Sequence, residues 1–430
     1  MSDTHPHYVV ITVGTTGDVH PFMRMAKALK EMGRQVTFIS NSLHASLLQG
    51  SGLNFVGLGT DEDYLRFLQN PDVWDERKGF AALLADYGAQ LLEIDAAIRT
   101  SVGTSEAVAI CHPFAVPGAA IARERGSVSA VVAAHMAPST MRTCHDPMRI
   151  GSTVVPRWAP MSWRRALWRF VEKGWIDPVG MAQLNQARTA LKLPKVTSTL
   201  LTHIEAAPDL TVTLFPGWFG PAMPDWPQPR LPADFPLFDA VSHSGLSTEL
   251  KIFLASGELP IVFTPGTGNL HAQAFFSTAL ATVTAMGRRA IFLTRERAQV
   301  PAELPPSVMW LPYVPLSALL PHVAVLVHHG GIGTTAEALR AGTPQLVAPF
   351  AWDQFDNGAR VAALGAGLVL PARRMRTRPL TRALQTLLTS VRVRTSCEVV
   401  AERFSSPPDP VGLCAEIERR VAVTRTTLAA

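Results

Sequence analysis

The densest run of chemistry-bearing residues lies between Val325 and Val361. An apolar strand, Val325 to Val327, leads straight into His328 and His329. Next come Gly330-Gly331-Ile332-Gly333-Thr334-Thr335 and a helical pattern over Ala336 to Arg340, which Gly342 and Pro344 end. A second apolar run, Gln345 to Pro349, precedes Asp353 and Gln354. This pattern suits a diphosphate. Glycines such as Gly331 and Gly333 let the backbone approach a ligand closely. Free amides at a helix start, with the helix dipole behind them, attract an anion. The hydroxyls of Thr334 and Thr335 add donors, as does the imidazole of His328 or His329. Glu337, one turn into the helix, can accept from ribose hydroxyls, and Asp353 and Gln354 can hold sugar hydroxyls. A glycine turn alone could be only a tight turn with a helix cap. The adjacent histidines and the later acid-amide pair make a ligand site the stronger reading.

A second constellation opens the chain. Tyr8 to Val13 reads as a buried parallel strand, followed by Gly14-Thr15-Thr16-Gly17-Asp18 and then a helix with Pro21 in its first turn, reaching Gly33. Asp18 then sits at the carboxyl end of the first strand, where open α/β sheets bind ligands. A carboxylate there can take the proton from an attacking hydroxyl. Asp is equally a favoured helix N-cap, and the spacing does not choose between these roles. His20 is a second candidate, although a polar residue in the first helical turn is the plainer reading. His112 and His135 each follow a predicted strand, Ala107 to Ile110 and Val128 to Val132. Either can face a ligand or be structural.

The elements that must hold these residues alternate strand and helix. Further strands are expected at Val36 to Ile39, Leu53 to Leu58 and Leu210 to Phe215, with one long helix over Lys78 to Ile98. The fold class is therefore α/β, doubly wound. At 430 residues the chain exceeds one compact core and suits two domains. The composition of Val241 to Glu249 is that of a linker, which puts the boundary near residue 240, giving domains 1–240 and 241–430. In the second domain, strands are expected at Pro260 to Phe263, Arg289 to Leu293 and Val308 to Leu311. Thr267 lies in a glycine turn after the first of these, ahead of a helix from about His271 to Met286. Between Met141 and Trp175 the alternation breaks into a stretch rich in Trp and Arg, including Trp163. Such a stretch can cover an acceptor pocket or face a lipid head group.

Composition narrows the classes. Hydrophobic residues make up 47% and charged residues 17%, which excludes a disordered chain. The formal charge of +5 is scattered, so no nucleic-acid partner is expected. The four cysteines form no CxxC pair, and no metal site is expected. The N-terminus lacks signal-peptide features and no transmembrane run is read, so a cytoplasmic setting is expected.

VGTTGDVHPF (13–22), FPGWFGPAMPDWPQP (215–229), HHGGIG (328–333) and WDQFDN (352–357) resemble motifs of inverting nucleotide-sugar glycosyltransferases of the GT-B fold. That group includes the sterol, macrolide and glycopeptide enzymes. The likeness is greatest to the rhamnosyltransferases of rhamnolipid biosynthesis and extends over most of the sequence. The resemblance implies two Rossmann-like domains facing across a cleft, the first binding the acceptor and the second the donor. The C-terminal helix, Pro410 to Val421, would cross back to the first domain. Asp18 falls where many plant and animal relatives carry a catalytic His, which favours the general-base role. His112, His135 and Trp163 would line the acceptor site. Tyr313, with Val314 beside it, would stack on the nucleotide base. A buried loop tyrosine is the alternative, and the family more often has Trp at this position and Gln at that of Leu316, so base selectivity does not follow. The implied donor is dTDP-L-rhamnose and the acceptor a 3-(3-hydroxyalkanoyloxy)alkanoic acid. No cofactor or metal is implied. Contact with the inner face of a membrane and an acyltransferase partner are further expectations. The rivals are a UDP-glucose-dependent glucosyltransferase acting on a lipid or polyketide, a nucleotide-sugar 2-epimerase, and a Rossmann dehydrogenase. The opening turn lacks the GxGxxG spacing of the last.

Overall fold

The computed structural model of the protein describes residues 5–237 and 245–429. The chain divides into two compact units. The first takes in residues up to Val73, a stretch from Arg77 into the 230s, and the chain from Pro408 onward. The second consists mainly of the residues between them. The boundary expected near residue 240 lies outside the described residues.

Seven parallel strands form the sheet of the first unit: β1 (His7–Ile11), β2 (Val36–Asn41), β3 (Asn54–Leu58), β4 (Ala107–Cys111), β5 (Ala130–His135), β6 (Leu210–Leu214) and β7 (Arg230–Ala233), in the order β3-β2-β1-β4-β5-β6-β7. The central strands are buried on both faces. Val9, Ile11, Ala109, Cys111, Val131 and Ala133 form one core with Ile94, Ile98, Val116 and Ala119. This explains why β4 and β5 read as continuous apolar runs rather than alternating ones.

Helix α1 (Thr16–Glu31) connects β1 to β2. It begins earlier than the sequence pattern suggests, so Pro21 lies inside it and Asp18 within its first turn. The helix expected over 78–98 is broken. A short helix, Gly79–Leu83, ends in a turn, and α2 (Tyr87–Val102) follows. Helix α3 (Val116–Glu124) packs against α2. Gly118 allows that approach, since a Cβ there would stand 2.8 Å from Ile94.

The irregular stretch after β5 folds into a two-residue hairpin, helix α4 (Met161–Val171), a π-helical turn (Glu172–Ile176) and helix α5 (Asp177–Ala190). Arg142 and the buried Arg164 fasten it. Arg142 pairs with Glu172 and Glu205, while Arg164 donates to the carbonyls of Cys144, Pro156, Arg157 and Ala159.

The second unit repeats the architecture with six parallel strands: β8 (Ile261–Thr264), β9 (Ala290–Leu293), β10 (Val308–Leu311), β11 (Val325–His328), β12 (Gln345–Val347) and β13 (Gly367–Val369), in the order β10-β9-β8-β11-β12-β13. Its helices include α6 (Ile332–Arg340) and α7 (Gln354–Ala363). Helix α8 (Pro410–Ala429) belongs to the first unit and packs on α1. Cys414, Ile417 and Val421 are buried there, and Glu418 pairs with Arg34.

In both sheets the strand order reverses between the first and fourth strands, β1/β4 in one and β8/β11 in the other. Doubly wound sheets bind their ligands just beyond the carboxyl ends of the strands at that reversal.

Candidate active site

At the reversal point of the second unit, two glycine turns converge on one imidazole. β8 ends at Thr264 and its turn carries Gly266, with φ +90°. β11 ends at His328, and His329 follows. A Cβ on Gly266 would stand 2.7 Å from the His329 ring, and one on Gly331 2.5 Å from its Nε2. Only glycine on both sides lets the ring lie there. Burial lowers the pKa of His329 to about 4, so the ring is neutral at pH 7. Its Nδ1 is buried and has no hydrogen-bond partner among the described residues.

His328 is different. Its Nε2 pairs with Gln345 Oε1 at 3.0 Å and its Nδ1 accepts from the Gly330 amide at 3.2 Å, in a fully buried position. Both nitrogens are thus used within the protein. This corrects the expectation that either histidine of the pair could meet a ligand: His328 braces the turn and His329 is the one presented.

Helix α6 starts at Ile332, four residues before the apolar pattern suggests. Its N-cap is Gly331, and no acidic residue lies in its first turn. The helix start therefore carries no side-chain cap. Gly333 is exposed and Thr334 half-buried, while Thr335 is buried with its hydroxyl unpartnered among the described residues. Glu337 is buried and paired with Arg340. Nearby, Gln354 Oε1 accepts from the amides of Phe350 and Ala351, at 2.8 and 3.2 Å, and so shapes the loop before α7. Trp352 in that loop has φ +60°, a conformation that is costly for a bulky residue. Asn357, fully buried, donates to Asp353 Oδ2 at 2.7 Å and to the Gly330 carbonyl at 2.9 Å. Asn357 thereby ties the two loops together. Sequence reasoning gives no role to it or to Gln345, although Asn357 lies one turn beyond Asp353 on the same helix face.

Thr267 is exposed and Val314 buried. Tyr313 is 39% exposed with the Arg295 guanidinium 5.6 Å from its ring centroid, which rules out the buried-tyrosine alternative.

At the reversal point of the first unit, the Asp18 carboxylate folds back over the start of its own helix. Oδ2 accepts from the Thr15 amide at 2.7 Å and from the Thr15 hydroxyl at 3.1 Å. Gly14, with φ +117°, is required beside it, since a Cβ there would stand 2.4 Å from Oδ2. Thr15 is the N-cap, which corrects the N-cap alternative for Asp18: Asp18 completes the capping box from the third helical position, with its carboxyl at the strand mouth. Although the residue keeps some surface exposed, burial of its carboxyl raises the pKa to about 6, against the opposing pull of the Thr15 hydrogen bonds.

Tyr64 donates to the Gly14 carbonyl at 2.8 Å and stacks edge-on to His44, which is held by Ser40. His20, half-buried, is close enough to His44 to oppose its protonation; burial is the larger cause of the lowering of the His44 pKa to about 4. This backing layer of Ser40, His44 and Tyr64 has no motif in the sequence.

His112 follows β4 directly, and His135 ends the adjacent β5. His112 Nδ1 accepts from the Phe114 amide at 3.3 Å, and His135 Nδ1 pairs with the Thr140 hydroxyl at 2.9 Å. Burial lowers both pKa values to about 3, and His112 further opposes protonation of His135. His135 Nε2 is buried without a partner among the described residues. Trp163 does not join this group. It lies on the outward face of α4, 64% exposed, which corrects its expected place in an acceptor pocket.

Two family models match the chain: the glycosyltransferase family 28 N-terminal domain over residues 8–116, and the erythromycin biosynthesis protein CIII-like C-terminal domain over 278–419. O-mycaminosyltylonolide 6-deoxyallosyltransferase of Streptomyces fradiae is 25% identical, over 97% of this chain and 98% of its own length. The glycosyltransferase of kitacinnamycin superposes with a TM-score of 0.73 at 18% identity, covering 97% of this chain and 99% of its own. The spinosyn rhamnosyltransferase SpnG complexed with thymidine diphosphate does so with a TM-score of 0.63 at 18% identity, covering 96% and 100%. With two Rossmann-like units, a family 28 N-terminal match over residues 8–116 and a CIII-like match over 278–419, the chain has the GT-B fold and is a nucleotide-sugar glycosyltransferase.

Proposed function

We propose that this enzyme transfers L-rhamnose from dTDP-L-rhamnose to the hydroxyl of a 3-(3-hydroxyalkanoyloxy)alkanoic acid, with inversion, to give a mono-rhamnolipid. The observation that carries the donor half is the buried, unpartnered His329 Nδ1 beside the uncapped start of α6. One N–H of the neutral ring and the helix amides stabilise the departing diphosphate, which is electrostatic work done by groups already in place. Tyr313 lies against the base, and Glu337, Asp353 and Gln354 lie towards the ribose and sugar. In the acceptor half, Asp18 takes the hydroxyl proton as the oxygen bonds to the anomeric carbon and the carbon–diphosphate bond breaks. With a pKa of about 6, Asp18 is mostly ionised at pH 7 and still basic enough to accept that proton. The 6-deoxyallosyl and rhamnosyl transfer named for two of the similar proteins support a deoxysugar donor. The scheme gives the diphosphate to the imidazole and the helix amides and includes no metal ion.

Titration calorimetry with dTDP, UDP and NAD tests the donor. Tight dTDP binding, weaker UDP binding and no NAD binding are expected. A preference for UDP would instead point to glucosyl transfer. Mass spectrometry of products from dTDP-L-rhamnose and the hydroxyalkanoyloxy acid, with and without EDTA, tests the rest, with the same yield expected in both. A second acceptor class, a polyketide-type aglycone, is favoured by the mycaminosyltylonolide acceptor in the name of the Streptomyces fradiae relative. It belongs in the same assay.

A further inference from the structure

The outward face of α4 and its flanks carries aromatic side chains that the fold does not use. Trp158 is 76% exposed, Trp163 and Phe170 are each 64% exposed, and Trp175 is 52% exposed. On α4 itself the inward positions are Arg164, Trp168 and Val171. Trp163, Ala166 and Phe170 line the opposite side at helical spacing. Phe170 and Trp175 meet edge to face with centroids 6.2 Å apart, which extends the patch across the π-helical turn.

The charges around this patch are of one sign. Arg157, Arg165, Arg169 and Lys173 are all exposed, and none forms an ion pair among the described residues. Between Val154 and Ile176 the one acidic residue is Glu172, which is buried against Arg142. The helix that carries the patch is also fastened from its inner side. The Arg164 guanidinium is bound by four carbonyls, and Trp168 Nε1 donates to the Thr143 carbonyl at 2.9 Å.

We propose that this face docks on an anionic lipid surface. Tryptophan and phenylalanine side chains enter the boundary between head groups and acyl chains, while arginine and lysine stay at the level of the phosphates. Charge complementarity singles out an anionic bilayer over a neutral one. Among the described residues no helix is long and apolar enough to cross a membrane, so the contact is peripheral. It places the enzyme where acyl-chain substrates partition, but it stands independently of which acceptor is used.

The test is co-sedimentation of the full chain with vesicles of phosphatidylcholine alone, or mixed with phosphatidylglycerol. Binding to the mixed vesicles is expected, with little to the neutral ones and a fall as salt is raised. Arg165→Gln with Arg169→Gln should lower partitioning roughly thirtyfold, at about fivefold per cation. Phe170→Ser with Trp175→Ser should lower it at least as far. An unchanged circular dichroism spectrum and melting temperature in both double variants would show that they remain folded. Failure of the wild type to bind anionic vesicles would overturn the proposal. So would concentration-dependent self-association in analytical ultracentrifugation that Phe170→Ser with Trp175→Ser abolishes, since the face would then belong to a second copy.

Discussion

The two reversal points are built alike and finished oppositely. Each is a strand, a glycine turn and a helix start. In the first unit the helix start is closed by the chain's own carboxylate, with Asp18 folded back on Thr15. In the second, the N-cap is Gly331 and the first turn holds no acid, so nothing from the helix's own side chains closes it. A closed helix start holds a carboxylate in a fixed place and limits its solvation, which suits a proton acceptor. An open one offers amides and a dipole to an incoming anion. On the proposed function, one supersecondary unit serves acid–base chemistry in one half of the chain and anion binding in the other. The residue at one or two positions decides which.

The largest test of this contrast is Asp18→Asn. The amide oxygen can still accept from Thr15, so the cap survives and the base is lost. Turnover should fall by roughly a hundredfold to ten-thousandfold, with dTDP affinity unchanged. Retained turnover in the product assay would remove Asp18 from the chemistry. The same carboxyl predicts a pH effect. In wild type, kcat/KM should rise with pH through about 6, the value to which burial raises Asp18 in the free protein. Stability should move the other way. A raised folded-state pKa contributes stability that is full below the unfolded value of about 4 and lost as pH rises through the folded value. Thermal melts at pH 7 should therefore show Asp18→Asn at least as stable as wild type.

His329→Ala should cost roughly tenfold to a hundredfold in dTDP affinity, the scale of one hydrogen bond to a charged group. Calorimetry would show this, and an unaltered Kd would separate the imidazole from the diphosphate. Gly331→Ser gives the second helix start a cap like that of the first. Its Cβ also has to displace the His329 ring, 2.5 Å away. A loss of roughly tenfold in dTDP affinity is expected, about 1.4 kcal/mol. Gln345→Leu has the smallest effect on function. It leaves His328 Nε2 buried without its partner, so stability should drop by about 1–3 kcal/mol in denaturant unfolding while the folded protein binds dTDP normally. If dTDP binding weakened instead, His328 would be more than a brace.

Much of this arrangement is legible in the sequence where residue type alone limits the options. Gly331 announces a close approach and Gly14 a turn, and the central strands announce themselves as apolar runs. Two edge strands, β7 and β13, escape because they are short and carry Pro232 and Gly367, which read as turn residues. The split role of His328 and His329 escapes for another reason. Adjacent residues look equivalent in a string, but a strand end turns one into the sheet and the other out of it. The bracing by Asn357, Gln345 and Tyr64 depends on contacts across loops distant in sequence, which no local spacing encodes. The Trp-rich stretch is legible as composition, while the assignment of Trp163 to an outward face needs the helix phase.

Helix α8 has a consequence for the order in which the molecule can be made. It follows the whole second unit in the sequence, yet it packs on α1, near the opposite end, with Cys414 buried and the Arg34–Glu418 pair formed. At about 5–20 residues per second, a ribosome reaches α8 on the order of tens of seconds after releasing α1. For that interval the α1 surface that will meet Cys414, Ile417 and Val421 has no partner, while the second unit can already fold behind it. A nascent chain stalled before Pro410 should therefore present a finished second unit and an unfinished first unit, the form in which a chaperone would meet it.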